Sequence, residues 1–192
     1  MKVRLEKTLA LPGGTEAAWQ ALQDIEAVAA CMPGARITER IDPTHYKGTV
    51  SVKVGPASMS FRGDLEVRQV DAAARTLQLL AKGVDGTGTS GASMELNARV
   101  EAAEAGGSRL VGVSEVSMSG KAAAFGGRLI NGVADQVLDQ FANNFAARVA
   151  SVEAATPPPV APAQAGGTEL NGLAIALKAF RAWLRSLFSK AT

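Results

Sequence analysis

The chain contains 192 residues, 47% of them hydrophobic and 20% charged, a composition typical of a globular protein that buries a core. Residues 1–156 hold 16 basic and 17 acidic side chains, and this balance argues against the basic surface of a nucleic-acid-binding domain. The single cysteine, Cys31, excludes an internal disulfide. Charges interrupt the apolar run that an export signal needs, and no window is long enough to span a membrane, so we expect neither.

The first elements in chain order are a strand and two short helices. Residues 2–9 alternate between polar and apolar side chains, with Lys7 on the apolar side, which predicts a half-buried strand. Residues 15–31 have apolar side chains at helical spacing, with Thr15 as the expected N-cap. Asp24 is expected to divide this segment into two helices, and the Pro-Gly pair at 33–34 to end the second.

Six further strands and a long helix follow. From Arg36 to Ser119 the apolar residues recur with a period of two, and turn sequences separate six segments, which predicts an antiparallel meander. From Lys121 they recur about every four residues, which predicts one helix to about Val152. The expected fold class is therefore α+β. A curved seven-stranded antiparallel sheet is wrapped round a long C-terminal helix, and two short helices follow the first strand.

A curved sheet that grips a long helix often leaves an apolar cavity, and the predicted interior is rich in methionine and phenylalanine. By residue type alone, such an interior is more typical of a plain core than of a ligand pocket, although methionine suits a flexible apolar ligand. The side chains expected to line the interior are Met32, Met59, Phe61, Met94, Met118, Phe125, Leu129, Val133, Val137 and Phe141.

The sequence offers no constellation typical of catalysis or metal binding. His45 is the only histidine, and its spacing from Cys31 is not that of a zinc site, so we expect structural roles for both. Residues 86–91, GTGTSG, spell the dinucleotide-binding pattern, but a strand rather than a helix is predicted to follow, which indicates a tight hairpin. We therefore expect no enzyme activity, no metal and no intrinsic cofactor.

The chain closes with a tether and a basic amphipathic segment. The segment carries four cations and no acid over residues 171–192, and on a helical wheel its large apolar side chains fall within about 140°. A helix lying in an anionic membrane interface is favoured; docking on a partner protein, self-packing and oligomerisation are the alternatives. The residues expected to contact the membrane are Leu173, Leu177, Lys178, Phe180, Arg181, Trp183, Leu184, Arg185, Leu187 and Phe188.

Three stretches of the first 150 residues resemble the CoxG family of carbon monoxide dehydrogenase subunits, which belongs to the START-like, SRPBCC helix-grip superfamily. They are LQDIEAVAACMPGARITE, VSVKVGPASMSFRGDLEV and GKAAAFGGRLI. Their matching features include Asp24 seven residues before the CMPGA motif, the Val54-Gly55-Pro56 turn, Phe61-x-Gly63, and Gly126-Gly127 within a helix. Some members of the family also end in a Pro/Ala-rich linker and an amphipathic segment.

The resemblance implies a non-catalytic accessory protein for a molybdenum hydroxylase of the CO dehydrogenase type. Residues 1–152 would form a helix-grip domain with a quinone, either menaquinone or ubiquinone, in its cavity. Residues 153–169 would be a Pro/Ala/Gly-rich linker. Residues 170–192 would anchor the protein peripherally at the cytoplasmic face of the cell membrane, linking the hydroxylase to the respiratory chain. An assembly or maturation factor for the same hydroxylase, and a small cyclase-type enzyme of the same fold, are the alternatives.

Overall fold

The computed structural model describes residues 1–54, 57–125 and 127–155. Within these ranges a seven-stranded antiparallel sheet faces one long helix, and two short helices connect the first two strands, as the sequence predicts. The elements are β1 Lys2–Leu11, α1 Thr15–Gln23, α2 Ile25–Cys31, β2 Ala35–Arg40, β3 His45–Val54, β4 Ala57–Asp71, β5 Thr76–Asp85, β6 Ser90–Ala102, β7 Ser108–Gly120 and α3 Gly127–Ala155.

The strands are ordered β1-β7-β6-β5-β4-β3-β2, so β2 to β7 form a meander and β1 returns to pair with the last strand. β1 and β2 are therefore the two edges of the sheet. Because all neighbours are antiparallel, the start of β1 lies at the same end of the sheet as the end of β7, the start of β6 and the end of β5. We call this end, where α3 begins, the open end, and the end where α3 finishes the closed end.

One face of the sheet is apolar, because the side chains alternate along the strands except at bulges in β2 and β4. Leu5 lies opposite Ser114, which lies opposite Leu96, which in turn lies opposite Leu79. Apart from a few small polar residues and Lys7, this concave face carries apolar side chains and turns towards α3. The carboxylates predicted to lie on the solvated face, Asp64, Glu66 and Glu95, occupy the opposite, convex face by register.

The closed end contains the hydrophobic core. Trp19 and Leu22 of α1 pack there with Phe145 and Val149 of α3, and each is at most 4% exposed. The rings of Phe141 and Phe145 stack with their centroids 5.5 Å apart. Burying large aromatic and aliphatic side chains of this kind contributes about 1.5–3 kcal/mol each. The core therefore joins α1, the C-terminal half of α3 and the closed-end half of the sheet.

Three polar contacts add to this packing and connect the short helices to α3. The Arg148 guanidinium donates to Asp24 at 3.0 Å, and the Asn144 amide donates to the carbonyl of Cys31 at 2.9 Å. The backbone N–H of Gly14 donates to the Glu153 carboxylate at 3.2 Å. Asp24 also accepts from the N–H of Ala27 at 3.1 Å and so caps α2. The C-terminal half of α3 is thus attached at both short helices.

Two predicted helix starts are wrong by a few residues. Thr15 is the first helical residue of α1, and Gly14 is the N-cap, because the Gly14 carbonyl accepts the hydrogen bond from Ala18. The long helix begins at Gly127 instead of Lys121, after a 3-10 turn over Lys121–Phe125. Gly120 has a φ of +66° and turns the chain sharply out of β7, so the backbone enters this tighter turn first.

A row of glycines crosses the concave face near the open end. Gly48, Gly63 and Gly83 lie directly opposite one another on β3, β4 and β5. A Cβ at Gly63 would overlap the carbonyl oxygen of Lys82, and a Cβ at Gly83 would lie 3.1 Å from the carbonyl oxygen of Arg62. The three strands therefore approach each other more closely here than side chains allow, which lets the sheet curve strongly.

We predict that Gly63→Ala destabilises the domain by about 2 kcal/mol or more, because the added methyl group meets backbone atoms that cannot rotate away. Gly112→Ala on β7 is the matched control, since its Cβ would meet only the Leu96 side chain, at 3.8 Å. That variant should be neutral or stabilise by up to about 1 kcal/mol. Urea denaturation measures both, and equal effects would refute the steric origin of the Gly63 requirement.

Candidate functional site

Burial changes along the concave face from one end to the other. At the closed end Leu77, Val100 and Leu110 are at most 5% exposed. At the open end Met59, Met94 and Met118 lie on the same face and are only half-buried. A single set of strands therefore presents a closed core at one end and an incompletely covered apolar surface at the other.

Small residues make room at the open end. The glycine row of β3, β4 and β5 continues in register to Ala92 on β6, which lies opposite Met118 on β7. These positions contribute almost no side-chain volume, whereas the rows on either side carry larger residues. The concave face therefore has a shallow channel across three to four strands, bordered by flexible methionine side chains that can adapt to a bound apolar molecule.

The structure places the predicted lining residues in three groups. Met59, Phe61, Met94 and Met118 lie on the concave face of the sheet, with Phe61 buried and the three methionines half-buried. Val133 and Val137 are half-buried on α3, in the half nearer the open end. Met32 follows α2 and packs against the hydrophobic core, and Phe141 is part of that core. The side chains of Phe125 and Leu129 lie outside the described residues.

One ion pair joins the concave face of β1 to the first half of α3. Lys7 lies on the concave face of β1 between Leu5 and Leu9, and its ammonium group is 2.7 Å from the Asp135 carboxylate. This hydrogen bond and the charge of Asp135 raise the pKa of Lys7. The alternation along β1 predicted a cation on the apolar side of the strand but indicated no partner for it. A lone lysine among alternating apolar residues is the signal that pointed to a polar group at this edge.

The hairpin between β5 and β6, which contains the GTGTSG sequence, lies at the open end and is followed by a strand, as predicted. Asp85 organises it: one carboxylate oxygen accepts from the Ser90 N–H at 2.9 Å, and the other accepts from the Thr87 hydroxyl at 2.6 Å and the Thr89 hydroxyl at 3.1 Å. These bonds, that of Thr87 above all, lower the pKa of Asp85 to about 2. The Asp85 carboxylate therefore stabilises the turn of this hairpin.

The depressed pKa predicts how acid affects this hairpin. Because the folded-state pKa of Asp85 lies below its unfolded value, its contribution to stability is present above about pH 4 and is lost as the pH falls towards 2. Thr87→Val should raise the pKa of Asp85 towards its ordinary value. A carboxyl NMR titration measures this, with Asp85→Asn identifying the resonance. An Asp85 pKa that is the same with and without the Thr87 hydroxyl would contradict the assignment.

The two residues singled out as possible reactive groups have structural surroundings. His45 is exposed at the start of β3 and pairs with Asp42 at 2.9 Å, in a turn that Asp42 also holds through Thr44. Cys31 is buried at the end of α2, as predicted, and burial raises the pKa of its thiol. Among the described side chains, no group of three or more His, Cys, Asp or Glu residues is placed to hold a metal ion.

The fold and the open apolar end can now be set beside comparisons with known proteins. A sequence model of CoxG, a subunit of carbon monoxide dehydrogenase, matches residues 12–150. The chain belongs to the CoxG family. No curated protein matches the sequence. The family match begins just after β1 and ends within the last turns of α3, so it covers nearly the whole folded domain of this CoxG family member.

Solved structures share the fold at low sequence identity. A conserved protein from Geobacillus kaustophilus is 21% identical with a TM-score of 0.69, over 78% of this chain and 96% of that one. The ZhuI aromatase/cyclase from Streptomyces sp. R1128 is 14% identical with a TM-score of 0.56, over 78% and 94%. A START superfamily protein from Mycobacterium smegmatis is 17% identical with a TM-score of 0.55, over 78% and 98%. These likenesses establish the START-like, helix-grip fold.

The predicted membrane-binding residues, from Leu173 to Phe188, lie outside the described residues, as do the linker positions from 156 onwards. Within the described part of the chain, no helix is both long enough and apolar enough to cross a membrane. The tail therefore stays a prediction from sequence, and the site described above belongs entirely to the folded domain.

Proposed function

We propose that this protein is a non-catalytic accessory protein that binds a quinone-like apolar ligand, menaquinone or ubiquinone, between the open-end half of the sheet and the first half of α3. In this proposal it also recruits a molybdenum hydroxylase of the CO dehydrogenase type to the cytoplasmic membrane. Bringing the hydroxylase and the quinone together links the enzyme to the respiratory chain. The reduced cofactors of the hydroxylase supply the electrons, and this domain binds and presents their acceptor.

The observation that supports the ligand most strongly is the contrast along β6. Ala98 and Val100 are at most 5% exposed in the closed core, whereas Ala92 and Met94, on the same face of the same strand, are only half-buried. Ordinary cores are packed to near-crystalline density and have few voids larger than a water molecule. An apolar surface that is left half-covered inside a sheet-and-helix domain fits an apolar ligand, which would remove the remaining surface from water.

The shape of this surface suits a flat ring with an apolar chain. The row from Gly48 to Ala92 provides a low channel that ends at Met118, and Met94 lies in the next row; their polarizable thioethers make favourable contacts with aromatic rings. A quinone also has carbonyl oxygens, which need a donor once they leave water. The candidate donor is Lys7, which lies on the concave face of β1 opposite Gly112, two rows from Met94 towards the closed end.

Two further features support the proposed hydroxylase partner and the proposed attachment to the membrane. The family is named for a subunit of carbon monoxide dehydrogenase, which supports a hydroxylase of that type as the partner. The basic, amphipathic segment 170–192 has the composition of a helix that lies in a membrane interface. A Pro-rich linker of about a dozen residues would allow the domain to move by tens of ångströms from the anchored tail.

The ligand proposal predicts opposite results for one substitution at two places on β6. Ala92→Phe fills the proposed channel, so it should weaken menaquinone binding about tenfold or more with little loss of stability. Ala98→Phe adds the same atoms to the same face in the closed core, and overpacking should destabilise the domain by about 1–3 kcal/mol. Native mass spectrometry with added menaquinone measures binding, and thermal unfolding measures stability.

If Ala92→Phe bound menaquinone as tightly as the natural protein does, the quinone would not occupy this half of the concave face. A loss of stability equal to that of Ala98→Phe would show that the open end is ordinary core. Either result contradicts the proposal, and the paired variants separate the two reasons.

The recruitment proposal predicts where the hydroxylase is found in the cell. Deleting residues 170–192 should move hydroxylase activity from the membrane fraction to the soluble fraction while the enzyme keeps its full complement of cofactors. Deleting the whole protein should have the same effect. A hydroxylase that lacks its molybdenum cofactor in the deletion strain would instead favour the assembly role. Membrane fractionation with metal analysis of the purified hydroxylase distinguishes these outcomes.

A further inference from the structure

The described basic side chains of the domain fall into two classes, according to whether a carboxylate lies within ion-pairing distance. Eight of those described are ion-paired with a carboxylate: Lys7, Arg40, Lys47, Arg68, Arg75, Arg99, Arg109 and Arg148. Seven others form no ion pair with a described residue: Lys2, Arg4, Arg36, Lys53, Arg62, Lys82 and Lys121. We call the second set the basic band.

All seven members of the basic band lie in the open-end half of the domain, and all are exposed. Lys2 and Arg4 begin β1 at one edge of the sheet, and Arg36 begins β2 at the other edge. Lys53 lies one residue before the end of β3, and Lys121 follows β7. With seven strands about 4.8 Å apart, the band extends over about 29 Å, the full width of the sheet.

The carboxylates nearest to the band do not neutralise it. In register, Asp64 lies between Lys47 and Lys82 on the convex face, where the described cations of this end outnumber it. The carboxylate of Asp85 accepts hydrogen bonds from its own hairpin. Glu115 lies opposite Arg4, at the boundary with the more acidic middle rows of the sheet. The open end therefore carries a net positive charge.

Two exposed apolar side chains belong to the same end. Val84 is 58% exposed on the convex face, directly opposite Arg62, and Met1 is 37% exposed beside the end of β7. A wide belt of unpaired lysines and arginines with apolar side chains among them suits a flat, anionic, apolar-cored surface. A bilayer with anionic headgroups has these properties across the whole width of the sheet, whereas a small ligand would contact only one part of the band.

We propose that the folded domain itself docks on anionic lipid through the basic band, with its open end against the bilayer. This orientation places the half-buried concave surface next to the lipid, so an apolar ligand passes between membrane and domain without crossing water. The inference rests on the proposed function in assuming that the ligand enters at this end. The C-terminal tail supplies attachment, and the basic band supplies orientation.

Orientation is tested on the full-length protein with a fluorophore whose emission shifts in an apolar environment. The label is attached at Val84→Cys, at the open end, or at Ala73→Cys, in the exposed turn before β5 at the closed end. Buried Cys31 remains in place, since burial protects it from labelling. Vesicles of phosphatidylcholine with about one third phosphatidylglycerol provide the anionic surface, and pure phosphatidylcholine vesicles provide the neutral one.

The label at position 84 should shift on anionic vesicles, and the label at 73 should not. The triple variant Lys53→Glu/Arg62→Glu/Lys82→Glu should lose that shift and bind anionic vesicles about tenfold more weakly. Arg68→Glu/Arg99→Glu/Arg109→Glu makes the same change in net charge at paired sites, and it should keep the shift. Circular dichroism confirms that both triple variants are folded.

Equal shifts at positions 84 and 73, or a shift at 84 that survives the basic-band variant, would overturn the docking proposal. So would binding of the band to the hydroxylase with no shift on lipid, which would make it a protein interface. Menaquinone binding by the same variants in detergent solution is measured in parallel. Intact quinone binding with no orientation refutes the docking alone, whereas failure of the ligand proposal appears as absent quinone binding in every variant, including the natural protein.

Discussion

The unequal covering of the sheet by helices is the constraint on which the rest of this structure depends. A sheet of seven strands is about 29 Å wide, and a helix with its side chains covers only about 10–12 Å of it. At the closed end α1 packs beside α3, and together they bury Trp19, Leu22 and Phe145. At the open end α3 is the one long helix that faces the sheet in the described part of the chain. The same fold therefore produces a dense core and a half-covered apolar surface on one set of strands.

The attachment of α3 follows the same asymmetry. Its C-terminal half is held by the aromatic core and by polar contacts to Gly14, Asp24 and Cys31. In its first half the described ion pair is that of Asp135 with Lys7, in which the two side chains are 58% and 39% exposed. Exposed ion pairs of this kind contribute little to stability. Among the described residues, polar contacts therefore hold the second half of α3 more firmly than the first.

The faces of the strands were predictable from sequence, because a period of two assigns each side chain to a face without any knowledge of the partner strand. The division of 15–31 into two helices was also predictable, since Asp24 is a strong capping residue. The glycine row was not, because Gly48, Gly63 and Gly83 become neighbours only through the register of three strands. For the same reason the sequence pattern grouped Phe141 with the open-end methionines, whereas the structure assigns it to the opposite end of the concave face. The burial of each side chain along a strand depends on which helices cover that part of the strand. The sequence pattern of one strand does not contain this information.

The distribution of charged side chains over the surface could not be predicted from composition either. The near balance of 16 basic and 17 acidic residues in positions 1–156 argued against a basic surface. A total over the chain, however, does not show which cations have a carboxylate partner. In the fold, carboxylates pair with the cations of the middle and closed end and with Arg40 and Lys47, whereas the seven described cations of the basic band have no carboxylate partner among the described residues. Surface pairing contributes little to stability, so the unpaired set costs the fold little and is free to serve an interaction. In the two proposals, the end that receives the apolar ligand is thus also the positively charged end, and an anionic membrane fits both properties.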